Sequence, residues 1–153
     1  MSSEGLTPQE IEAVKNSWDI VRKDGKQFGN QLFINFFTKY PAYQQLFKSL
    51  ANIPLNELHS SKRLLAHTTN VMYALTAVVD NLEDTEMVTE MLYKMGVNHK
   101  KRKLNVGLFN ELGSVLFDLL TNVLGSEAMD SQLTSAWTKT YSVIVAKISA
   151  GFA

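Results

Sequence analysis

The sequence predicts an all-α fold. Apolar residues recur at helical spacing in each long segment, and no run alternates with period two between turn signals. The 8 glycines and 3 prolines are scarce and read as breaks between the periodic segments. The reading gives six to eight helices joined by short connections, without internal repeats. Two or three of the helices are apolar on two faces. A four-helix up-down bundle has no need of that, so a more irregular helical packing is expected.

The first helix opens at Thr7-Pro8-Gln9-Glu10. Thr7 is placed to cap it, Pro8 suits the first turn, and Glu10 can close a capping box. Ile11, Val14, Trp18 and Val21 then share one face, and Asp24-Gly25 breaks the helix. The second helix runs to about Tyr40, with Phe28, Leu32, Phe33, Phe36 and Phe37 covering more than one face. Pro41 begins a short turn, with Leu46 and Phe47 just beyond it. Residues 48–59, which include Pro54, read as irregular.

A long helix follows from about Ser60 to Leu82, carrying Leu64, Leu65, Val71, Met72 and Leu75. Asp84 caps a helix from Thr85 to about His99. Asn105 caps a strongly apolar sixth helix that Gly125 ends. Asp130 or Ser131 starts the last helix, with Trp137, Tyr141, Ile144 and Ile148 inward, and Gly151 is expected to stop it.

At 153 residues the chain is expected to form one domain, residues 1–153. Its hydrophobic fraction of 45% is too high, and its balance of 15 basic and 15 acidic residues too even, for a disordered chain. That balance also argues against nucleic-acid binding, which needs a basic surface. The absence of Cys excludes disulfide scaffolds, thiolate metal sites, Cys nucleophiles and thioether-linked haem. The polar opening Met1-Ser-Ser-Glu-Gly has neither a secretory leader nor a myristoylation signal, and no apolar run reaches a membrane span. These readings place the chain in the cytoplasm, away from membranes. Hydrolase, P-loop and dinucleotide motifs are missing.

Three histidines remain: His59, His67 and His99. His59 lies in a polar stretch and reads as solvated. His67 shares a helix face with Leu64 and Val71, and His99 ends a ladder Met91, Met95, His99 at i, i+4 spacing. Each could be a core histidine bonded to a backbone carbonyl. Their spacing forms no local zinc motif. The two could also converge on one object. With Phe33, Phe36, Phe37 and Phe47 nearby, the chemistry suits a planar, hydrophobic, iron-bearing cofactor. The run Lys100-Lys101-Arg102-Lys103 reads as a solvated corner or an anion-binding patch.

Taken in order, these segments resemble the globin family from Leu6 to about Phe152. The carriers are the Leu6-Thr7-Pro8-Gln9-Glu10 opening with Trp18, the Phe33…Phe36-Phe37…Tyr40-Pro41 stretch with Phe47, and Leu65-Ala-His67-Thr-Thr-Asn-Val71. Leu92-Tyr-Lys-Met95-Gly-Val-Asn-His99-Lys and Ala136-Trp137…Tyr141 complete them. The resemblance implies a globin fold around non-covalent haem b. It makes His99 the proximal iron ligand and His67 the distal histidine, a possible sixth ligand. Val71 would lie beside the sixth position and Phe47 against the haem. Phe33, Met95, Leu104 and Phe109 would be further pocket contacts. A cation of the 100–103 run could pair with a propionate, while Asn70 stands where a basic residue is often found.

The segment between His67 and His99 is similar to that of neuroglobin- and cytoglobin-like and other tissue globins. The expected function is reversible dioxygen binding, for storage, facilitated diffusion or transport, with carbon monoxide or nitric oxide as further ligands. The alternative is a bis-histidyl six-coordinate globin in gas sensing, nitric-oxide scavenging or redox chemistry. The chain is expected to be no enzyme, although nitric-oxide dioxygenation would become open to it with a separate reductase. A monomer or a homodimer is compatible with the sequence.

Overall fold

Side-chain caps set where most of the helices begin. The computed structural model describes residues 5–153, so the Met1–Glu4 portion of the polar opening lies outside the described residues. Thr7 accepts the Glu10 amide at 3.1 Å, and Glu10 accepts the Thr7 amide at 2.9 Å, the expected box at the head of α1 (Pro8–Arg22). Ser61 caps α4 (Lys62–Asp80), Asp84 caps α5 (Thr85–Lys101), Asn105 caps α6 (Val106–Leu124) and Asp130 caps α7 (Ser131–Phe152). Each accepts the amide three residues on and so satisfies one of the orphan donors of its helix. Between α1 and α4 lie α2 (Gly25–Lys39) and the four-residue α3 (Pro41–Gln44). Asp24, before α2, makes no side-chain cap. No strand occurs among the described residues.

Part of the segment read as irregular is ordered into a 3₁₀ helix, Leu55–Ser60. It is too short for helical periodicity to be visible in sequence, and Leu58 alone of its side chains is buried. The buried Gln44 amide donates to the carbonyls of Leu50 and Ile53, each at 2.9 Å, and so pins the preceding turn.

Among the described residues the core draws buried apolar side chains from α1, α2, α4, α5, α6 and α7, with Tyr43 of α3 packed against it. Trp18 and Trp137 are almost fully buried, with ring centroids 5.6 Å apart where α1 meets α7. Their indole nitrogens donate to Thr76 and Ser17, both at 2.9 Å, so neither ring leaves a polar atom unpaired. α2 packs on α4, α6 and the 3₁₀ helix, which explains why its phenylalanines spread around the helix.

Glycine does more than break segments. Gly125 does end α6, with φ +92°. Gly151 does not stop α7, which continues through Phe152. It lies instead where α5 and α7 cross, with a Cβ there falling 2.9 Å from the Gly96 Cα. Two helices can approach this closely only without side chains at the contact.

Candidate functional site

Two helices bring the paired histidines to one cavity. α4 carries His67 and α5 carries His99, and both line an apolar cavity of about 270 Å³ that is partly open to solvent. The same cavity is lined by Phe33, Phe47, Val71, Met95, Leu104 and Phe109. Phe36 and Phe37, read in sequence as part of the same aromatic surround, do not reach it and are buried in the core instead. His59, by contrast, is exposed.

The His67 ring is gripped by aromatic neighbours. Phe33 meets it edge-on with centroids 4.8 Å apart, and Phe47 does so at 5.2 Å. Its Nε2 is buried and has no hydrogen-bond partner in the protein. Burial is the main reason its pKa falls from 6.5 to about 4, because a second proton on this ring is costly away from water; the nearness of His99 and of the Arg102 cation lowers it further. His67 is therefore a neutral imidazole at pH 7.

His99 is held differently. Its Nδ1 lies 2.7 Å from the Met95 carbonyl oxygen one turn back. A carbonyl can only accept, so Nδ1 carries the proton and Nε2 keeps its lone pair. Phe109 packs on the ring with centroids 5.1 Å apart. Burial lowers the His99 pKa, the Met95 bond opposes that, and Arg102 adds to it. This pair of features, a fixed tautomer and a neutral ring, is what a metal-ligating histidine requires.

Arg102 is the one member of the basic run that lines the cavity. It stands just past α5, at the side where the run leaves the helix. Asn70 lines the cavity as well.

The deeper wall was not separable from ordinary core in the sequence. Leu92, Leu116, Ile144 and Ile148 line it, and so does Tyr141. Their inward faces were readable, but periodicity does not distinguish a residue that fills space from one that borders it. Tyr141 is further fixed by a 2.6 Å bond from its hydroxyl to the Phe109 carbonyl. Gly113 makes room for that ring, since a Cβ there would fall 2.9 Å from Tyr141 Cδ2.

With the helices and cavity placed, comparison with known families decides the assignment. The globin family model matches residues 30–148. The chain belongs to the globin family. This globin is similar to Neuroglobin of Dissostichus mawsoni, at 31% identity over 151 residues covering 98% of this chain and 94% of the relative. It is also similar to Cytoglobin-2 of Oryzias latipes, at 29% identity over 139 residues covering 90% of this chain and 77% of that one. Its fold matches the crystal structure of a hexacoordinated heme protein from an anhydrobiotic tardigrade, with a TM-score of 0.89 and 17% identity. That match covers 97% of this chain and 96% of the other. Among the described residues, no helix is long and apolar enough to cross a membrane.

Proposed function

We propose that this globin, as one domain, binds haem b non-covalently and takes up dioxygen reversibly. The observation that carries the proposal is the pair of neutral imidazoles on one apolar cavity, one with a fixed lone pair and one with an unpartnered nitrogen. Among the described residues no three His, Asp or Glu side chains converge on a metal site. A metal held here must bring its remaining ligands with it, as the iron of a porphyrin does.

In this reading His99 Nε2 is the protein's iron ligand, and Phe47, Leu104, Phe109 and Met95 pack around the macrocycle. When bound, the haem supplies an iron centre that takes up and releases diatomic gases. Phe33 and Val71 keep the space near His67 small and apolar, which excludes water. Arg102 is placed to meet a propionate.

His67 supports a second reading. Protonated at Nε2, it is a hydrogen-bond donor to a gas in the pocket. Unprotonated there, it offers a lone pair and would hold the iron as a second protein ligand. Its buried Nε2 without a partner favours neither tautomer, so both functions rest on the same atom. If His67 held the iron about 99% of the time, gas affinity would fall about 100-fold. That shifts the role toward sensing, nitric-oxide scavenging or redox work.

Loading the purified chain with haemin tests the proposal. Uptake should give colour and raise Tm, because a ligand of the folded state stabilises it. In the reduced, gas-free protein one broad visible band means five-coordinate iron, and sharp split bands mean six-coordinate iron. A chain that gains neither colour nor stability overturns the haem reading.

A further inference from the structure

The cavity that carries the two imidazoles also carries a thioether. The chain has no cysteine, so methionine is its only sulfur. Met72 and Met129 are buried in the core, and Met91 is partly buried against it. Met95 alone among the described methionines lines the cavity. It stands one turn before His99, and its carbonyl accepts from the His99 Nδ1 at 2.7 Å. The cavity is partly open and far larger than the ~30 Å³ that one water occupies, so a molecule as small as hydrogen peroxide can enter it.

We propose that Met95 is a redox modification site, at which hydrogen peroxide makes a sulfoxide that weakens the cavity's hold on haem. The proposal rests on the haem reading. One peroxide oxygen bonds to the Met95 sulfur as the O–O bond breaks, and the other leaves with both hydrogens as water. The sulfur loses two electrons and the peroxide gains them. Reversal takes a methionine sulfoxide reductase with a thiol donor. Two thiols become one disulfide, and the sulfoxide oxygen leaves as water.

Polarity gives the sulfoxide its effect. While the cavity is empty, water can solvate the S=O group. A macrocycle packed on this wall displaces that water, and a buried polar group without a partner is costly. No donor in the wall stands free to replace it. The His99 Nδ1 and the Tyr141 hydroxyl are already bonded to backbone carbonyls. Asn70 and Arg102 are exposed, where water already satisfies them. In the haem reading the Nε2 atoms of both histidines face the iron. Conversely, a bound macrocycle covers Met95 and shields it from peroxide. Oxidation and haem uptake therefore oppose each other, and the chain registers peroxide only while it is empty. Met87, two turns back on α5, is exposed and lines no part of the cavity, so haem should not protect it.

The test exposes two forms of the full chain to hydrogen peroxide: haem-free, and haem-loaded but held reduced under carbon monoxide to keep the iron from reacting. Peptide mass spectrometry follows the gain of one oxygen at each methionine. Met95 should oxidise at least about tenfold faster in the haem-free chain, since the loaded chain reacts only through its empty fraction. Met87 should oxidise equally in both. Haemin affinity of the oxidised chain should fall roughly 5- to 150-fold, and methionine sulfoxide reductase with dithiothreitol should restore it. Met95→Leu keeps the apolar volume and should bind haemin equally before and after peroxide. Equal rates at Met95 in the two forms overturn the proposal, as does a loss of affinity that Met95→Leu shares. A chain that takes up no haemin before peroxide overturns the haem reading and the proposal with it. A chain that binds haemin as tightly after Met95 oxidation as before overturns the proposal alone.

Discussion

Gly96 and Gly151 meet backbone to backbone where α5 crosses α7. A Cβ on Gly96 would lie 3.0 Å from the Gly151 Cα, and one on Gly151 would lie 2.8 Å from the Val97 nitrogen. Backbone atoms cannot swing aside as a side chain can. His99 stands one turn beyond Gly96 on the same helix and lines the cavity, so a shift of this crossing would move its ring. Gly96→Ala should therefore cost at least the ~1–3 kcal/mol typical of overpacking. It should also speed haemin loss, while Gly107→Ala, near the exposed start of α6, should leave haemin loss unchanged. Denaturant midpoints and the rate of haemin transfer to a scavenger check both. A Gly96→Ala chain with normal midpoint and retention would show that the crossing has slack.

That contact also marks what the sequence could convey. Caps at Thr7, Asp84, Asn105 and Asp130 are local chemistry, visible in four residues, and they fall where expected. His67 and His99 were legible because an imidazole is conspicuous on an apolar face. Gly151 was not, because the same residue signals a helix end or a close crossing, and only the partner helix decides which.

Substituting His99 removes the one ring whose tautomer the backbone fixes. The Met95 carbonyl then loses its donor as well. His99→Gly should raise the haemin dissociation rate by more than the ~10–100-fold seen when a metal site loses an outer-shell partner. Added imidazole should partly restore retention and the visible spectrum, since it can enter the vacated space. Retention equal to the unaltered chain would remove His99 from the iron.

Arg102 offers a narrower test. It lines the cavity, whereas Lys101 beside it does not. Both residues are exposed, so a pair with a propionate is worth only about 0–1 kcal/mol. Arg102→Ala should speed haemin loss by a few-fold at most, with the difference shrinking as salt rises. Lys101→Ala should do nothing. Equal effects from both variants would point to a general charge effect rather than a specific pair.

Acid should weaken the chain through His67. Its folded pKa of about 4 lies below the ordinary 6.5, so the unfolded chain binds the proton more readily. The stability from keeping this ring neutral is fully present above pH ~6.5 and drains away as pH falls toward ~4. The difference is worth roughly 2–4 kcal/mol. His67→Leu keeps the apolar contacts with Phe33 and Phe47 but cannot titrate. In the haem-free chain, where no metal competes for the ring, urea midpoints of the unaltered protein should drop between pH 7 and 5 more than those of His67→Leu. Parallel curves would mean that the ring is hydrated when folded.

The same substitution in the haem-loaded globin separates the two functional readings by sign. As a donor, His67 holds a gas in the pocket through a hydrogen bond worth about 1.5–3 kcal/mol, so His67→Leu should speed gas release by roughly 10–150-fold and weaken affinity. As a second protein ligand to the iron, His67 would compete with the gas, so its removal should strengthen affinity, by up to about 100-fold if the ring holds the iron 99% of the time. The ring's position makes an intermediate null result informative too. Its Nε2 is buried and has no protein partner, so removing it cannot be masked by another contact within the chain. Gas affinity and release unchanged in His67→Leu would mean that this nitrogen touches neither the gas nor the metal, and that His99 alone connects the protein to the iron.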